Sequence, residues 1–341
     1  MQTKRIGKQT VIFANPVAIL TTSSVVGPKE GEGPLSAFFD KVESDPLFSQ
    51  DSWEKAESKF LKTSIELGIS KAGIAKEQLD YIISGDLLNQ NISSTFGIRE
   101  LERPFLGIFG ACSAMGEAMS IGAMLIDGGF AEYTAVAASS HFCAAEKQFR
   151  FPLQLGTQRA PTASWTVTGA GCAILSPSYK TNPGVAITAA TNGKIVDLGI
   201  TDSTNMGAAM APAAADTVIA HLRDTNTTAN DFDLIITGDL GVTGSILFNE
   251  ILQRENFDLQ DKHSDCGVLI FDKEAQDTKN GGSGCACAAT VFSGYFYEQL
   301  KNGNLKKILF VPTGALLSAT STQQGESIPG IAHAVVIEKF M

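Results

Sequence analysis

Phe109-Gly110-Ala111-Cys112-Ser113-Ala114-Met115-Gly116 is the stretch whose surroundings fix how the rest of the chain must pack. An apolar, strand-like run at residues 105–109 leads into it, and an apolar helical run, residues 113–126, leads out. Along that helix Ala114, Ala118, Met119, Ile121, Ala123, Met124 and Leu125 leave almost no polar side, and Glu117 is its only charge before Asp127. A helix apolar nearly all round belongs inside a core. Cys112 therefore stands where a buried strand hands over to a buried helix. Unsatisfied N–H groups and the positive end of the helix dipole favour a thiolate there, and they also suit a carboxylate or an oxyanion. A tight strand-to-helix turn asks for a small residue in any case.

Outward from this turn, strand and helix patterns alternate along the chain. Strand-like runs fall at residues 11–14, 79–84, 133–138, 170–175, 185–189, 234–237, 308–311 and 332–337. A helix is expected from Asp51-Ser52-Trp53-Glu54, with Asp51 as cap and Ala56, Phe60, Ser64 and Leu67 on one side. Others are expected over residues 212–223, with Pro212 at the start, and over 286–300 behind a glycine-rich turn. Short words recur about 150 residues apart. Ile83-Ser84-Gly85-Asp86-Leu87 returns as Ile236-Thr237-Gly238-Asp239-Leu240. Gly110-Ala111-Cys112-Ser113-Ala114 is matched by Gly282-Ser283-Gly284-Cys285-Ala286, and Gly169-Ala170-Gly171-Cys172-Ala173 by Gly330-Ile331-Ala332-His333-Ala334. The element order repeats with the words, so the chain reads as a duplication, residues 1–180 and 181–341. Two such βα halves pack as sheets with helices between and outside them, an α/β fold.

With 44% hydrophobic and 18% charged residues among 341, the chain can bury a large core and is not of disordered type. Asp and Glu (36) outnumber Lys and Arg (26), which argues against nucleic acid as a partner. The six cysteines are spread out, Cys285 and Cys287 excepted, and read as reduced thiols. Two long uncharged stretches, residues 160–179 and 280–297, are rich in Gly, Pro, Ser or Thr rather than Leu and Ile, so neither reads as a membrane span. No secretory signal is read at the N-terminus, where Asn15-Pro16 cuts the apolar run short. The expected location is cytoplasmic, or peripheral at a membrane.

The stretch 109–116 resembles the nucleophile motif of the thiolase and ketoacyl synthase III superfamily. The likeness runs from about Gln50 to the C-terminus, through Leu79-Asp80-Tyr81-Ile82-Ile83, Gly169-Ala170-Gly171-Cys172-Ala173 and the turn at residues 281–284. It implies a thiolase-like five-layered α-β-α-β-α sandwich built from two duplicated βα halves, normally a homodimer. Gly85-Asp86-Leu87-Leu88-Asn89-Gln90, Phe109-Gly110-Ala111-Cys112-Ser113 and Thr237-Gly238-Asp239-Leu240-Gly241 resemble more closely the stage V sporulation AD family of spore-forming Bacillus-like bacteria. That resemblance implies an association with dipicolinic acid (pyridine-2,6-dicarboxylate) and its movement with calcium into the developing spore and out at germination. It also implies membrane-embedded partners of the same sporulation channel system, and a place at the inner membrane of the spore.

Measured against the superfamily, the partners for condensation are missing. A ketoacyl synthase III-like enzyme carries a His after the second-half strand and an Asn in the glycine-rich turn, as donors to the thioester oxygens. Here the first position falls on Gly238 or Asp239 and the second on Gly282 or Ser283, and none of His141, His221, His263 and His333 stands at either. An ionised Asp only accepts, so it repels a forming oxyanion. Each missing donor costs on the order of 3–4 kcal/mol, roughly a hundred- to a thousandfold in rate. The expected site is therefore a degenerate, ligand-binding one. Gly110, Ala111, Cys112 and Ser113 would take one carboxylate of a flat dicarboxylate, and Gly282, Ser283 and Gly284 the other. Asp239, or Asp86 in the first half, would offer oxygen to a calcium ion delivered with the ligand, and no resident cofactor or metal is expected. An active acyltransferase with Cys112 as acyl acceptor is the alternative.

Cys285 and Cys287, with His263 and Cys266, lack the spacing of a zinc knuckle and read as buried thiols. Arg150 and Arg159 bracket residues 151–158, which the superfamily resemblance places over the acyl pocket. Their expected use is a solvated loop, with the steering of a dianion as the other reading. Trp165 and Phe142 are read as lid or dimer residues.

Overall fold

The computed structural model describes residues 4–149, 159–178 and 184–340. Ten strands make the main ladder: β1 (Thr10–Val26), β2 (Tyr81–Gly85), β3 (Phe105–Gly107), β4 (Thr134–Ser140), β5 (Gly169–Pro177), β6 (Val185–Asn192), β7 (Leu234–Thr237), β8 (His263–Asp265), β9 (Lys307–Val311) and β10 (Gly330–Lys339). Hydrogen bonding runs β8-β7-β9-β10-β6-β1-β5-β4-β2-β3. β2 lies parallel between β3 and β4, with Ile83 opposite Leu106 and Val136. β7 lies parallel between β8 and β9 in the same way, with Ile236 opposite Ser264 and Phe310. Antiparallel pairs then lead inward from each side, and β1 joins β6 at the middle. The order of parallel and antiparallel neighbours is thus repeated about the β1–β6 junction, which is the duplication read from the recurring words.

The helices are α1 (Trp53–Ala72), α2 (Ala114–Asp127), α3 (Phe142–Phe149), α4 (Met206–Thr225), α5 (Gly241–Arg254) and α6 (Cys285–Val291). Successive strand residues face opposite ways, so Ile82 and Ile83 serve two different cores, as do Ile235 and Ile236. The inner core holds α2 and α6 between Ile83, Val136 and Ala173 of one half and Ile236, Phe310 and Val335 of the other. One outer core sets Phe60, Leu61 and Ile65 of α1 on Ile82, Ala135 and Ala170. The opposite one sets Ala214, Val218 and Phe248 of α4 and α5 on Ile235, Leu309 and Ala334. Helix, sheet, helix, sheet and helix make five layers. The expectation that α2 is a core helix follows from its sequence and is met by nine buried residues in its 14.

Four local expectations are corrected. The cap of α1 is Ser52, whose hydroxyl accepts from Lys55 N (3.3 Å), while Asp51 pairs with the Lys55 ammonium instead. Leu67 is only half-buried, because the buried seam of α1 turns towards Glu57, Leu61, Ile65 and Gly68. Pro212 does not start α4, which begins at Met206 behind an Asn205 cap. The small Gly207 there packs within van der Waals reach of Leu240 and Gly244, so tertiary contact extends the helix past the proline. The run after Gly284 is helical but not uniform: α6 passes through a π-turn, Phe292–Phe296, into Tyr297–Asn302. There Gly294 meets the Phe38 carbonyl so closely that a Cβ would lie 2.8 Å from it. Among the described residues no helix is long and apolar enough to cross a membrane.

Candidate functional site

Between β3 and α2 the chain reverses through residues 108–113, and Ala111 adopts a left-handed backbone with φ 48°. That conformation is unfavourable for a residue with a Cβ and persists only where the surroundings impose it. Here Ser113 N and Oγ both donate to Gly110 O (3.1 and 2.6 Å), and Ala114 N donates to Ala111 O (3.1 Å). The strand Thr313–Ala315 presses on the same turn, so that a Cβ on Gly314 would lie 2.2 Å from Gly110 O. Cys112 is fixed in this turn at 5% exposure, and Ser113, not Cys112, caps α2.

Asp239 lies just past β7 and is buried against the Cys112 thiol. Its Oδ1 accepts from Thr313 Oγ1 (2.8 Å), and its Oδ2 from Ser283 Oγ (2.9 Å) and Gly284 N (3.0 Å). The Cys112 thiol lies close enough for each group to shift the other's protonation. Of the two registers the sequence left open, the fold puts Asp239 and Ser283 beside the thiol, not Gly238 and Gly282. Burial raises the Asp239 carboxyl above the ordinary carboxylate range, against the donors that hold it. Burial and then the Asp239 charge and hydrogen bond push the Cys112 thiol well above its usual value. The expectation of a thiol acidified by the helix start is therefore reversed. Cys112 stands one residue before the cap, is buried, and has a carboxylate beside it. At neutral pH it is a protonated thiol.

A cavity opens over Cys112. Leu87, Phe109, Phe149, Met206 and Leu317 make its walls apolar, while Ser283, Thr166 and Glu146 add polar atoms. Of the residues expected to hold a ligand, Ala111, Cys112 and Ser283 line this space. Gly110, Ser113, Gly282, Gly284 and Asp239 stand behind that lining. The Ser113 hydroxyl is turned back to Gly110 O and the Gly284 amide to Asp239, so neither faces a ligand.

Asp86 does not share the site. Its oxygens accept from Leu88 N (2.9 Å) and Ser94 N (2.8 Å), bracing the loop after β2. In the second half that bracing falls to Asp265, which accepts from Leu240 N (2.9 Å), Gly241 N (3.0 Å) and Thr237 Oγ1 (2.6 Å). Burial pushes its carboxyl up to about 7. Because Asp265 holds the loop, Asp239 is released to face Cys112. Sequence reasoning missed both Asp265 and Thr313. The small Thr313-Gly314-Ala315 run directly behind the buried strand β9 was the available signal for Thr313.

None of the four histidines lines the cavity. His263 bonds Thr237 Oγ1 (2.9 Å) and Asn249 Nδ2 (3.0 Å), His141 bonds Pro46 O (2.8 Å), and His221 bonds Thr191 Oγ1 (2.8 Å). His333 is buried within β10. Cys266, Cys285 and Cys287 are buried thiols, with Cys285 Sγ donating to Ala111 O (3.1 Å) and Cys287 Sγ to Gly238 O (3.4 Å). Arg150 and residues 151–158 lie outside the described residues. Arg159 is not on a solvated loop: its side chain is 8% exposed, with Nη1 3.8 Å from Glu146 Oε1. Its guanidinium lies 4.9 Å from the centre of the Trp165 ring, which in turn stacks on Phe142 at 3.8 Å.

The stage V sporulation protein AD family matches residues 7–338. The chain is 45% identical over 337 residues to stage V sporulation protein AD of Bacillus subtilis (strain 168), covering 98% of both chains. Among solved structures, the E117Q variant of OleA from Xanthomonas campestris superposes with a TM-score of 0.61 at 15% identity, over 96% of this chain and 99% of that one. The C143A variant of the same protein gives 0.62 at 13% identity, over 96% and 98%. At such low identity the OleA likeness speaks for the fold, which is thiolase-like.

Proposed function

The chain belongs to the stage V sporulation protein AD family, and we propose from that premise that its thiolase-like site binds rather than condenses. The ligand in this reading is pyridine-2,6-dicarboxylate or its calcium chelate. The protein assists its uptake into the developing spore and its release at germination, peripheral to the inner membrane and beside membrane-embedded channel proteins. One observation carries the reading: a formed pocket ends on Cys112, but the charged group beside the thiol is Asp239, with Ser283, Gly284 and Thr313 spent on that carboxylate. Donors that would stabilise a thioester oxyanion are committed to an internal anion. The apolar walls suit the faces of a flat ring, and Ser283 and the cavity's other polar atoms suit its edge. Calcium in this reading arrives chelated by the ligand, since Asp239 and Asp86 give their oxygens to protein donors.

The test is calorimetry of the whole protein with pyridine-2,6-dicarboxylate, with and without calcium, beside a turnover assay with acyl thioesters. Saturable heat with the dicarboxylate, little with unrelated dicarboxylates and no turnover is the expected result. Steady turnover that disappears in Cys112→Ser would replace this reading with the acyltransferase one.

A further inference from the structure

We infer that Ser283 is the side chain that donates to a ligand carboxylate, and that a proton taken up on Asp239 frees it to do so, so that ligand binding consumes a proton. The inference rests on the binding function proposed above and names the donor and the proton that answer the ligand's charge. Ser283 lines the cavity beside Cys112. Its hydroxyl has a single proton, and that proton is given to Asp239 Oδ2 (2.9 Å) rather than to the cavity. Gly284 N (3.0 Å) donates to the same oxygen, and Thr313 Oγ1 (2.8 Å) donates to Oδ1. Asp239 accepts at all three contacts, which is the arrangement of an ionised carboxyl.

A ligand oxygen bonded to Ser283 Oγ would stand about 5 Å from Asp239 Oδ2, two hydrogen-bond lengths joined at one atom. Two anions at that separation, at an effective dielectric of about 20, repel by enough to lower affinity on the order of a hundredfold. The single Ser283 proton also cannot serve both oxygens. A proton on Asp239 removes both conflicts. Solvent supplies it to Oδ2. The new Oδ2–H then donates to Ser283 Oγ, and the Ser283 hydroxyl turns its own proton to the ligand. Thr313 and Gly284 N keep their places. Among the described residues, the titratable groups that feel Asp239 are Cys112 in the turn before α2, Cys285 and Cys287 of α6, Asp265 of β8 and Cys266 directly after it. Glu146 adds a carboxyl on the cavity wall. Thiols and carboxyls are neutral or negative, so all of them favour a proton on Asp239 over a second anion beside it. Burial already raises the Asp239 carboxyl, which makes that proton easier to add.

The test is calorimetry of the whole protein with calcium-free pyridine-2,6-dicarboxylate, in two buffers of different ionisation enthalpy and across a range of pH. In wild type the heats are expected to differ between the buffers by about one proton per ligand, and affinity to fall by about tenfold per unit from about pH 7 to about pH 8. Asp239→Asn copies the protonated side chain, so it should bind with buffer-independent heat and an affinity that is flat over that range. Ser283→Ala should weaken binding by about tenfold or more at the lower pH. Saturable binding by wild type with equal heats in the two buffers would overturn the inference and leave the binding function standing. So would proton uptake that persists in Asp239→Asn, or unchanged affinity in Ser283→Ala. The wild-type proton count needs no variant, so it decides even where a substitution fails to fold. No saturable heat in wild type at either end of the pH range would remove the binding function and this inference together.

Discussion

Between Cys112 and Asp239 a full charge in contact competes with the partial charge of a helix end. Two unit charges roughly 4 Å apart at an effective dielectric of about 20 interact by ~4 kcal/mol. A helix terminus contributes about 0.3–1 kcal/mol and fades within a turn. Burial, and after it the carboxylate, outweigh the helix end, which is why the thiol is raised and not acidified. Asp239→Asn removes the charge and keeps the shape. It should speed alkylation of Cys112 by iodoacetamide near neutral pH by at least about tenfold, the effect of one unit in thiol pKa. Peptide mass spectrometry separates Cys112 from Cys143, the half-buried thiol. An unchanged Cys112 rate would show that Asp239 does not set its protonation.

At the scale of elements, buried carboxyls brace the loops. Glu30, in the short helix Pro28–Gly31, is wholly buried, and its Oε1 accepts from Thr168 N (2.9 Å) next to β5. Burial pushes its carboxyl up from 4.5 to about 7. The folded chain therefore binds this proton more tightly than the unfolded chain does. The stability it gives is complete below the unfolded value and is lost as pH rises through about 7. Glu30→Gln removes that dependence. Urea denaturation between about pH 5 and about pH 8 should show the variant gaining on wild type with rising pH, by on the order of 3 kcal/mol at the upper end. Asp265, which behaves alike, is present in both proteins and cancels. Parallel slopes for the two proteins would contradict the burial argument.

On the scale of the whole molecule, the ladder among the described residues ends at β8 and β3. β3 leaves Leu106 exposed, followed by Phe109 and flanked by Phe96 and Ile92 of the helix Ile92–Ile98. An open edge strand with apolar neighbours is a surface for pairing with another chain. A second copy of this chain is the proposed occupant. Light scattering should then give twice the 36.0 kDa chain mass, and Leu106→Glu should shift it towards the single mass. A wild-type mass equal to one chain would refute the pairing.

What the residues alone made legible was whatever depends on neighbours in sequence. Apolar runs of strand length, the all-round apolar α2 and the recurring Gly-Asp-Leu words gave the α/β class and the duplication, because burial and periodicity are written locally. The turn holding Cys112 was legible for the same reason. Where two chain segments compete for one place, only the packed structure decided the outcome. Pro212 inside α4 is permitted by its packing on α5, and Ser52 displaces Asp51 as cap by geometry. The choice of Asp239 over Gly238 beside the thiol required Asp265, Thr313 and Ser283 to arrive from three other elements. So did the burial of Arg159 against Trp165 and Glu146, which a loop-like sequence concealed. A side chain's charge state depends on the solvent it loses and the charges it meets, and both are set by residues far away along the chain.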